Sequence, residues 1–375
     1  MIDPFNFLDI LKKNDFRFAT GVPDSLLKDF LKALNLSWNE QSNLIAANEG
    51  NAIAIAAGHY IGTGSPAIVY MQNSGLGNAI NPITSLADPE VYSLPMLIII
   101  GWRGEPGTKD EPQHVKQGRI TEELLEVLEI PTYKIGPNSD FENVLAEAKT
   151  KMMNESRPVA LLISKDSFAP VKSEPDFQPE LELTRARTIE LVIDCIPEDA
   201  LIVCTTGMAS RELFEVREKN RESHKFDFLT VGSMGHASSI AMGLALNLPH
   251  RLIVCLDGDG SFLMHMGANG VIAQSNLPNF FHILINNGAH DSVGGQPTIG
   301  LKLNLGKLTA EMGYKHTDSC HIEEDLRRNL KSQLALNGPN FLEVKVKKGA
   351  RKDLGRPTTS PKENVKEFME NILES

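Results

Sequence analysis

The sequence predicts an α/β protein built as two doubly wound, parallel-sheet domains, and three observations predict it. Short apolar, β-branched runs recur along the chain, most of them closed by a glycine-rich or polar turn. Helix-like stretches alternate with these runs, as crossover-connected parallel strands require. A proline- and acid-rich stretch near the middle, residues 167–183 with prolines at 170, 175 and 179, separates two such series.

In the first series the expected strands are 16–18, 67–71, 96–100 and 159–163. The first three run into Thr20-Gly21-Val22-Pro23, Gln72-Asn73-Ser74-Gly75 and Gly101-Trp102-Arg103-Gly104. In the second series they are 201–204, 228–231, 252–256, 281–285 and 341–346, with Thr205-Thr206-Gly207, Gly232, Gly258-Asp259-Gly260 and Asn286-Asn287-Gly288 at the ends of the first four. Continuous apolar strands suit a sheet covered on both faces. The alanine-rich stretches 49–61 and 237–248 read as inner helices, and 121–129 and 323–334 as charged outer ones. The division is therefore 1–168 for the first domain, 169–183 for a linker and 184–375 for the second. In such sheets ligands sit at the carboxyl ends of the strands, so the glycine-rich turns are where chemistry is expected.

Composition narrows the function. A length of 375 residues suits two domains, and 41% hydrophobic with 23% charged residues is ordinary for a soluble protein. A net charge of −11 argues against nucleic-acid binding, although an acidic protein can still hold a small anion in a locally basic pocket. Cys195, Cys204, Cys255 and Cys320 form no C-x-x-C pair or metal-ligand spacing, and three lie in or beside apolar runs as buried thiols would. The acids Asp3, Asp9 and Asp15 do not suit a secretory signal, and the longest apolar run, 94–102, is far shorter than a bilayer span. The expectation is a cytoplasmic protein with neither a membrane nor a nucleic acid as partner.

The strongest local motif is Gly258-Asp259-Gly260-Ser261 followed, after positions 261 to 285, by Asn286-Asn287-Gly288. Two strand ends of one sheet then present a carboxylate and a carboxamide to the same place. Oxygen ligands of this kind suit Mg2+, which takes few protein ligands and completes its shell with phosphate oxygens and water. The glycines let backbone N–H groups approach an anionic diphosphate at a helix N-terminus.

This motif resembles the signature of thiamine diphosphate-dependent 2-oxo acid decarboxylases. The resemblance implies a pyrimidine-binding domain followed by a diphosphate-binding domain, with no middle domain between them. It implies that Asp259, the Asn287 side chain and the Ala289 carbonyl hold Mg2+, and that Ser261, with the turns at Gly207, Gly258 and Gly260, meets the diphosphate. Ala47-Asn48-Glu49-Gly50-Asn51-Ala52 is similar to the segment bearing the family's essential glutamate, which makes Glu49 the partner of the aminopyrimidine ring. Gly232-Ser233-Met234-Gly235 is similar to its aminopyrimidine turn, where the Gly232 carbonyl accepts from the 4′-amino group and Met234 wedges the cofactor into its bent shape. Taken alone, Glu49 could equally serve a helix dipole, and Met234 could be ordinary core. The resemblance also implies a homo-oligomer, at least a dimer, with each active site between subunits.

Further segments resemble the phosphonopyruvate decarboxylase branch of that family: Thr20-Gly21-Val22-Pro23-Asp24-Ser25, residues 101–107, Asp110-Glu111-Pro112-Gln113-His114, Ser210-Arg211-Glu212, residues 288–296 and residues 351–357. The substrate implied is 3-phosphonopyruvate, and the product phosphonoacetaldehyde, in phosphonate biosynthesis. Sulfopyruvate or another short acidic 2-oxo acid is the alternative substrate, and a catalytically silent scaffold a more distant one. A dianionic phosphonate needs fixed cations, and arginine meets such oxyanions with a planar fork. Arg103 and His114, on a loop at a strand end, and the basic cluster of Arg351, Lys352 and Arg356 are candidates, as are Asp24, Ser25, His290 and Asp291. His114 and His290 are the candidate proton donors. Each has a plainer alternative: a salt bridge for Arg103, a surface histidine for His114, an N-cap pair for Asp24 and Ser25, a solvated loop for 351–356.

Overall fold

The computed structural model describes residues 1–172 and 180–373. The chain divides into two units, Met1–Pro175 and Asp176–Ser375. Part of the expected linker, 173–179, lies outside the described residues.

The first unit holds a six-stranded sheet of β1 (Ala19–Gly21), β2 (Asn43–Ile45), β3 (Ile68–Gln72), β4 (Leu97–Gly101), β5 (Thr132–Ile135) and β6 (Val159–Ile163), in the order β2-β1-β3-β4-β6-β5. All its pairings are parallel. The second unit holds β7 (Leu201–Cys204), β8 (Asp227–Leu229), β9 (Ile253–Gly258), β10 (Phe280–Asn286), a small antiparallel hairpin of β11 (Ala289–His290) and β12 (Gln296–Pro297), β13 (His316–Cys320) and β14 (Asn340–Lys345). Its main sheet, again parallel, has the order β13-β14-β10-β9-β7-β8. Read from β8, this repeats the first unit's topology strand for strand.

Alternation along the central strands explains the burial on both faces. Leu97 and Ile99 pack into one apolar cluster with Phe7, Phe16 and Phe30, while Ile98 and Ile100 pack into another with Ala52, Ala56 and Val69. In β9, Val254 and Leu256 face one cluster while Ile253 and Cys255 face another. Each fully buried side chain of this size contributes roughly 1.5–3 kcal/mol of transfer free energy, which is why the central strands read so clearly. The helices carry their own signals. Asn48 caps helix Glu49–Thr63 by accepting the Asn51 N–H at 2.9 Å, and Gly64 ends it at φ +71°.

The expectations differ from the structure in three places. The strand expected at 16–18 lies at 19–21, because Phe16 is spent on the core beside a left-handed Asp15 and the ladder begins at Ala19. Strands β2, β5 and β13 have no counterpart among the expected ones; all three lie at sheet edges and are only partly buried. The helix expected at 121–129 begins at Pro112 and runs to Val127, so His114 sits in its first turn and not on a loop. All four cysteines are free thiols. Among the described residues no helix is long and apolar enough to cross a membrane.

Candidate active site

In the order shared by both sheets, the winding reverses between β7 and β9 of the second unit, and a crevice opens at their carboxyl ends. Thr205 and Thr206 after β7, Gly258 to Ser261 after β9, and Asn287 with Ala289 to Ser292 after β10 line a single pocket, with Met234 and Arg185 at its sides. Gly207 caps this turn at φ +99°.

Asp259 is 2% exposed and begins the short helix Asp259–Met264. Burial pushes its carboxyl up to about 6, against the pull of the Thr298 hydroxyl and the Asn287 N–H. A Cβ on Gly300 would lie 2.8 Å from Asp259 Oδ2, so only glycine admits that carboxylate. The Asn287 side chain donates through Nδ2 to Asp291 at 2.6 Å and accepts the Ala289 N–H through Oδ1 at 3.0 Å. Asn286, fully buried, instead ties the turn to Glu343 of β14 at 2.7 Å and accepts the Gly288 N–H. Asp259, Asn287 and Ala289 line this one pocket, and a carboxylate, a carboxamide and a backbone carbonyl are the oxygen donors that suit a divalent cation such as Mg2+.

Ser261 joins two turns, since its Oγ accepts the Gly235 N–H at 3.0 Å and the Thr205 hydroxyl at 3.1 Å. The 232–235 turn needs left-handed backbone at Gly232, Ser233 and Gly235 (φ +73°, +48° and +88°) and is also held by Gly232 N–H donating to Thr206 Oγ1 at 3.1 Å. Met234 reaches over Gly260, where a Cβ would meet its methyl at 3.2 Å and the His290 ring at 2.8 Å. Burial pushes His290 down to about 4, so it faces the pocket as a neutral imidazole at pH 7.

In the first unit, Asp24, Asn73 and Arg103 follow the equivalent strand ends, after β1, β3 and β4. Glu49, 6% exposed, starts the helix after β2. Its Oε2 accepts from Asn78 at 2.8 Å, and its carboxyl lies so close to Gly75 that a Cβ there would come within 2.5 Å. Arg103 forks onto Asp110 through Nε (2.8 Å) and Nη2 and donates through Nη1 to Ser25 Oγ at 2.6 Å. His114, buried, meets the same carboxylate through Nδ1 at 2.9 Å. Burial would raise the Asp110 carboxyl, but Arg103, His114 and the Gly104 N–H together hold it well below the usual range. Burial lowers His114, so the neutral ring donates from Nδ1 and leaves its Nε2 lone pair available.

Asp24 is fully buried and pushed up to about 6 by burial, although the Arg103 charge opposes it. One oxygen accepts the Leu26 and Leu27 N–H groups at 3.0 and 3.3 Å; the other, Oδ1, is buried without a hydrogen-bond partner. Since its folded-state value lies above the ordinary 3.8, this carboxyl contributes most to stability in acid and loses that contribution as pH rises through about 6. Asp24→Asn is therefore expected to stabilise the fold at pH 7.5, by up to ~3 kcal/mol, with no gain near pH 4. Urea unfolding at the two pH values checks this, and an equal effect at both would contradict it.

The structure thus gathers Met234, Gly258, Asp259, Gly260, Ser261, Asn287, Ala289 and His290 around one pocket, which Gly207 and Gly232 do not line, and Asp24, Ser25, Arg103 and His114 into one cluster. Asp291 is engaged by Arg185 and Asn287 and does not stand open as a substrate contact. Arg351 is exposed and pairs with Glu215; Arg356 is also exposed. Sequence reasoning missed Thr298, Asn78 and Arg185, and named Asp110 only within the 110–114 segment, without a role. The four-residue spacing of Asp110 and His114 was the one available signal.

Comparison with known proteins identifies the family. The thiamine pyrophosphate enzyme N-terminal TPP binding domain matches residues 6–125, and the C-terminal TPP binding domain matches residues 205–344. The chain is similar to a phosphonopyruvate decarboxylase of Streptomyces viridochromogenes, 34% identical over 93% of this chain and 90% of that one. A phosphonopyruvate decarboxylase of Streptomyces hygroscopicus is 33% identical over 95% and 90%. A sulfopyruvate decarboxylase of Methanosarcina acetivorans is 27% identical over 97% and 96%.

Proposed function

The chain belongs to the phosphonopyruvate decarboxylase family of thiamine pyrophosphate enzymes, and we propose that it converts 3-phosphonopyruvate to phosphonoacetaldehyde and CO2 with Mg2+ as the second cofactor. The observation that carries the metal is the oxygen donor set of Asp259, Asn287 and the Ala289 carbonyl at the strand ends where the winding reverses. Thiamine diphosphate, when bound, supplies the electron sink that holds the pair left on C2 when the bond to the carboxylate breaks.

The chain's own residues do the rest. Gly207, Gly258, Gly260 and Ser261 admit the diphosphate, Gly232 and Met234 shape the aminopyrimidine, and Glu49 moves a proton at its ring nitrogen. C2 then takes a proton to become the aldehyde carbon, with His114 and His290, both neutral at pH 7, as the groups able to relay it. Glu49 and Asp259 of one site come from different subunits of a homo-oligomer in this reading. Arg103, neutralised by Asp110, orients the substrate without adding net positive charge, alongside Asp24 and Ser25. Attraction for the dianionic phosphonate comes from residues 345–356, whose six cations include Arg351, paired with Glu215, and Arg356, and whose one acid is Asp353.

Aldehyde release from phosphonopyruvate, sulfopyruvate and pyruvate, with thiamine diphosphate and Mg2+ added, tests the substrate. The expected order puts phosphonopyruvate first by at least about tenfold in kcat/KM, since each 1.4 kcal/mol of differential binding is a factor of ten. If sulfopyruvate were turned over faster, the substrate assignment would fall while the cofactor chemistry stood.

A further inference from the structure

Arg185 opens helix Arg185–Cys195, is 6% exposed, and has no part in the chemistry proposed above. Its Nε and Nη2 donate to the two oxygens of Glu212, at 2.7 and 3.2 Å, and its Nη1 donates to Asp291 Oδ2 at 3.0 Å. Glu212 is itself 5% exposed, so the guanidinium is held from behind by a buried fork-to-fork contact that fixes its plane. Asp291 Oδ2 also accepts from Asn287 Nδ2 at 2.6 Å and from the Gly349 N–H at 3.0 Å. Donors from the first helix of the unit, the turn after β10 and the segment after β14 therefore converge on one carboxylate oxygen.

A carboxamide has one donating and one accepting end. Whatever holds Asn287 Nδ2 also decides where Oδ1 points, and Oδ1 is the end a cation needs. Asp291 can only accept, so it selects the orientation in which Nδ2 faces it and Oδ1 is turned to the other side, where the Ala289 N–H steadies it at 3.0 Å. An Asp291 carboxylate free to rotate would lose this selection, and Arg185 removes that freedom.

We propose that Arg185, backed by Glu212, is a positioning residue of the metal site, locking Asp291 so that the Asn287 carboxamide presents its oxygen to the cation. This rests on Asn287 being a metal ligand, as in the function proposed above. Outer partners of metal ligands act in this way, and their loss typically weakens metal binding about 10–100-fold.

The test is calorimetric titration of the full chain with thiamine diphosphate over a series of Mg2+ concentrations, alongside circular dichroism and thermal unfolding. Asp291→Ala is the decisive variant because it removes the one oxygen, Oδ2, that Arg185, Asn287 and the Gly349 N–H share. Nothing acceptor-only then faces Asn287 Nδ2, and the carboxamide is free to turn over. The expected result is a Mg2+ half-saturation raised about 10–100-fold with wild-type circular dichroism. Arg185→Lys, which keeps the charge but not the fork, is expected to give a smaller rise in the same quantity. A merely structural staple would lower the unfolding midpoint and leave the Mg2+ dependence as in wild type, and that outcome in Asp291→Ala overturns the inference. Wild-type protein that binds no thiamine diphosphate at any Mg2+ concentration overturns the cofactor-site reading as well.

Discussion

Glu49→Gln is expected to remove decarboxylation while leaving the fold and cofactor binding in place. The substitution is isosteric at a residue whose carboxyl is fixed on two sides, by Asn78 Nδ2 at 2.8 Å and by the bare Cα of Gly75. Glutamine can still accept from Asn78 through its oxygen, so helix Glu49–Thr63 keeps its start and Asn48 keeps its cap. Its amide nitrogen can donate a hydrogen bond to a ring nitrogen but cannot give up or take back a proton there. Proton transfer by a positioned side chain typically contributes about 10²–10⁴-fold, and the loss should appear in kcat with little change in the thiamine diphosphate dissociation constant. Steady-state aldehyde release and calorimetric titration of the same preparation check both halves. Turnover within tenfold of wild type would take Glu49 out of the chemistry altogether.

The two units show how one topology carries two kinds of site. In each, candidate site residues follow the first, third and fourth strands of the same winding order, and Glu49 and the 232–235 turn follow the second. In the second unit these ends bring Thr205 and Thr206, Gly258 to Ser261, and Asn287 with Ala289 and His290 around one pocket. In the first they bring Asp24, Asn73 and Arg103: Arg103 and His114 share the Asp110 carboxylate, Asn73 donates to the Arg103 carbonyl, and the Arg103 charge acts on Asp24. Parallel strands aim their carboxyl ends at one edge whatever residues they carry, so the fold supplies convergence and the loops supply chemistry.

That division also explains what the sequence revealed. Central strands such as Val159–Ile163 and Leu201–Cys204 stood out because both of their faces are buried, which leaves an unbroken apolar run. Edge strands such as Asn43–Ile45 and His316–Cys320 face solvent, carry polar residues and are short, so no periodicity marks them. The cofactor turns were legible because each packs its function into consecutive residues with a fixed separation. The Arg185–Glu212–Asp291 contact was not, because its members lie 27 and 106 positions from Arg185 and meet only through tertiary packing. Asp110 was hidden differently: the expectation put His114 on a loop, whereas a helix begins at Pro112 and makes His114 a buried partner of the Asp110 carboxylate.

Asp259→Asn is expected to be as damaging as the loss of Glu49, but through binding and not through turnover. Asp259 is the charged member of the proposed metal donor set, 2% exposed, with Thr298 and the Asn287 N–H already directed at its carboxylate. Asparagine matches its volume, so the close approach of Gly300 remains possible and the short helix after β9 can form as before. What disappears is the formal negative charge of a buried carboxylate that offsets the cation, and electrostatic attraction is stronger away from bulk water. The Mg2+ half-saturation for thiamine diphosphate binding should therefore rise by more than the ~10–100-fold typical of outer-shell partners. Turnover lost at low Mg2+ should return in part when the metal is raised, whereas Glu49→Gln should not respond to metal at all. Titrating Mg2+ against aldehyde release in the two variants separates the roles. A variant at Asp259 whose activity is independent of Mg2+ concentration would move the metal site away from the Gly258–Ser261 turn.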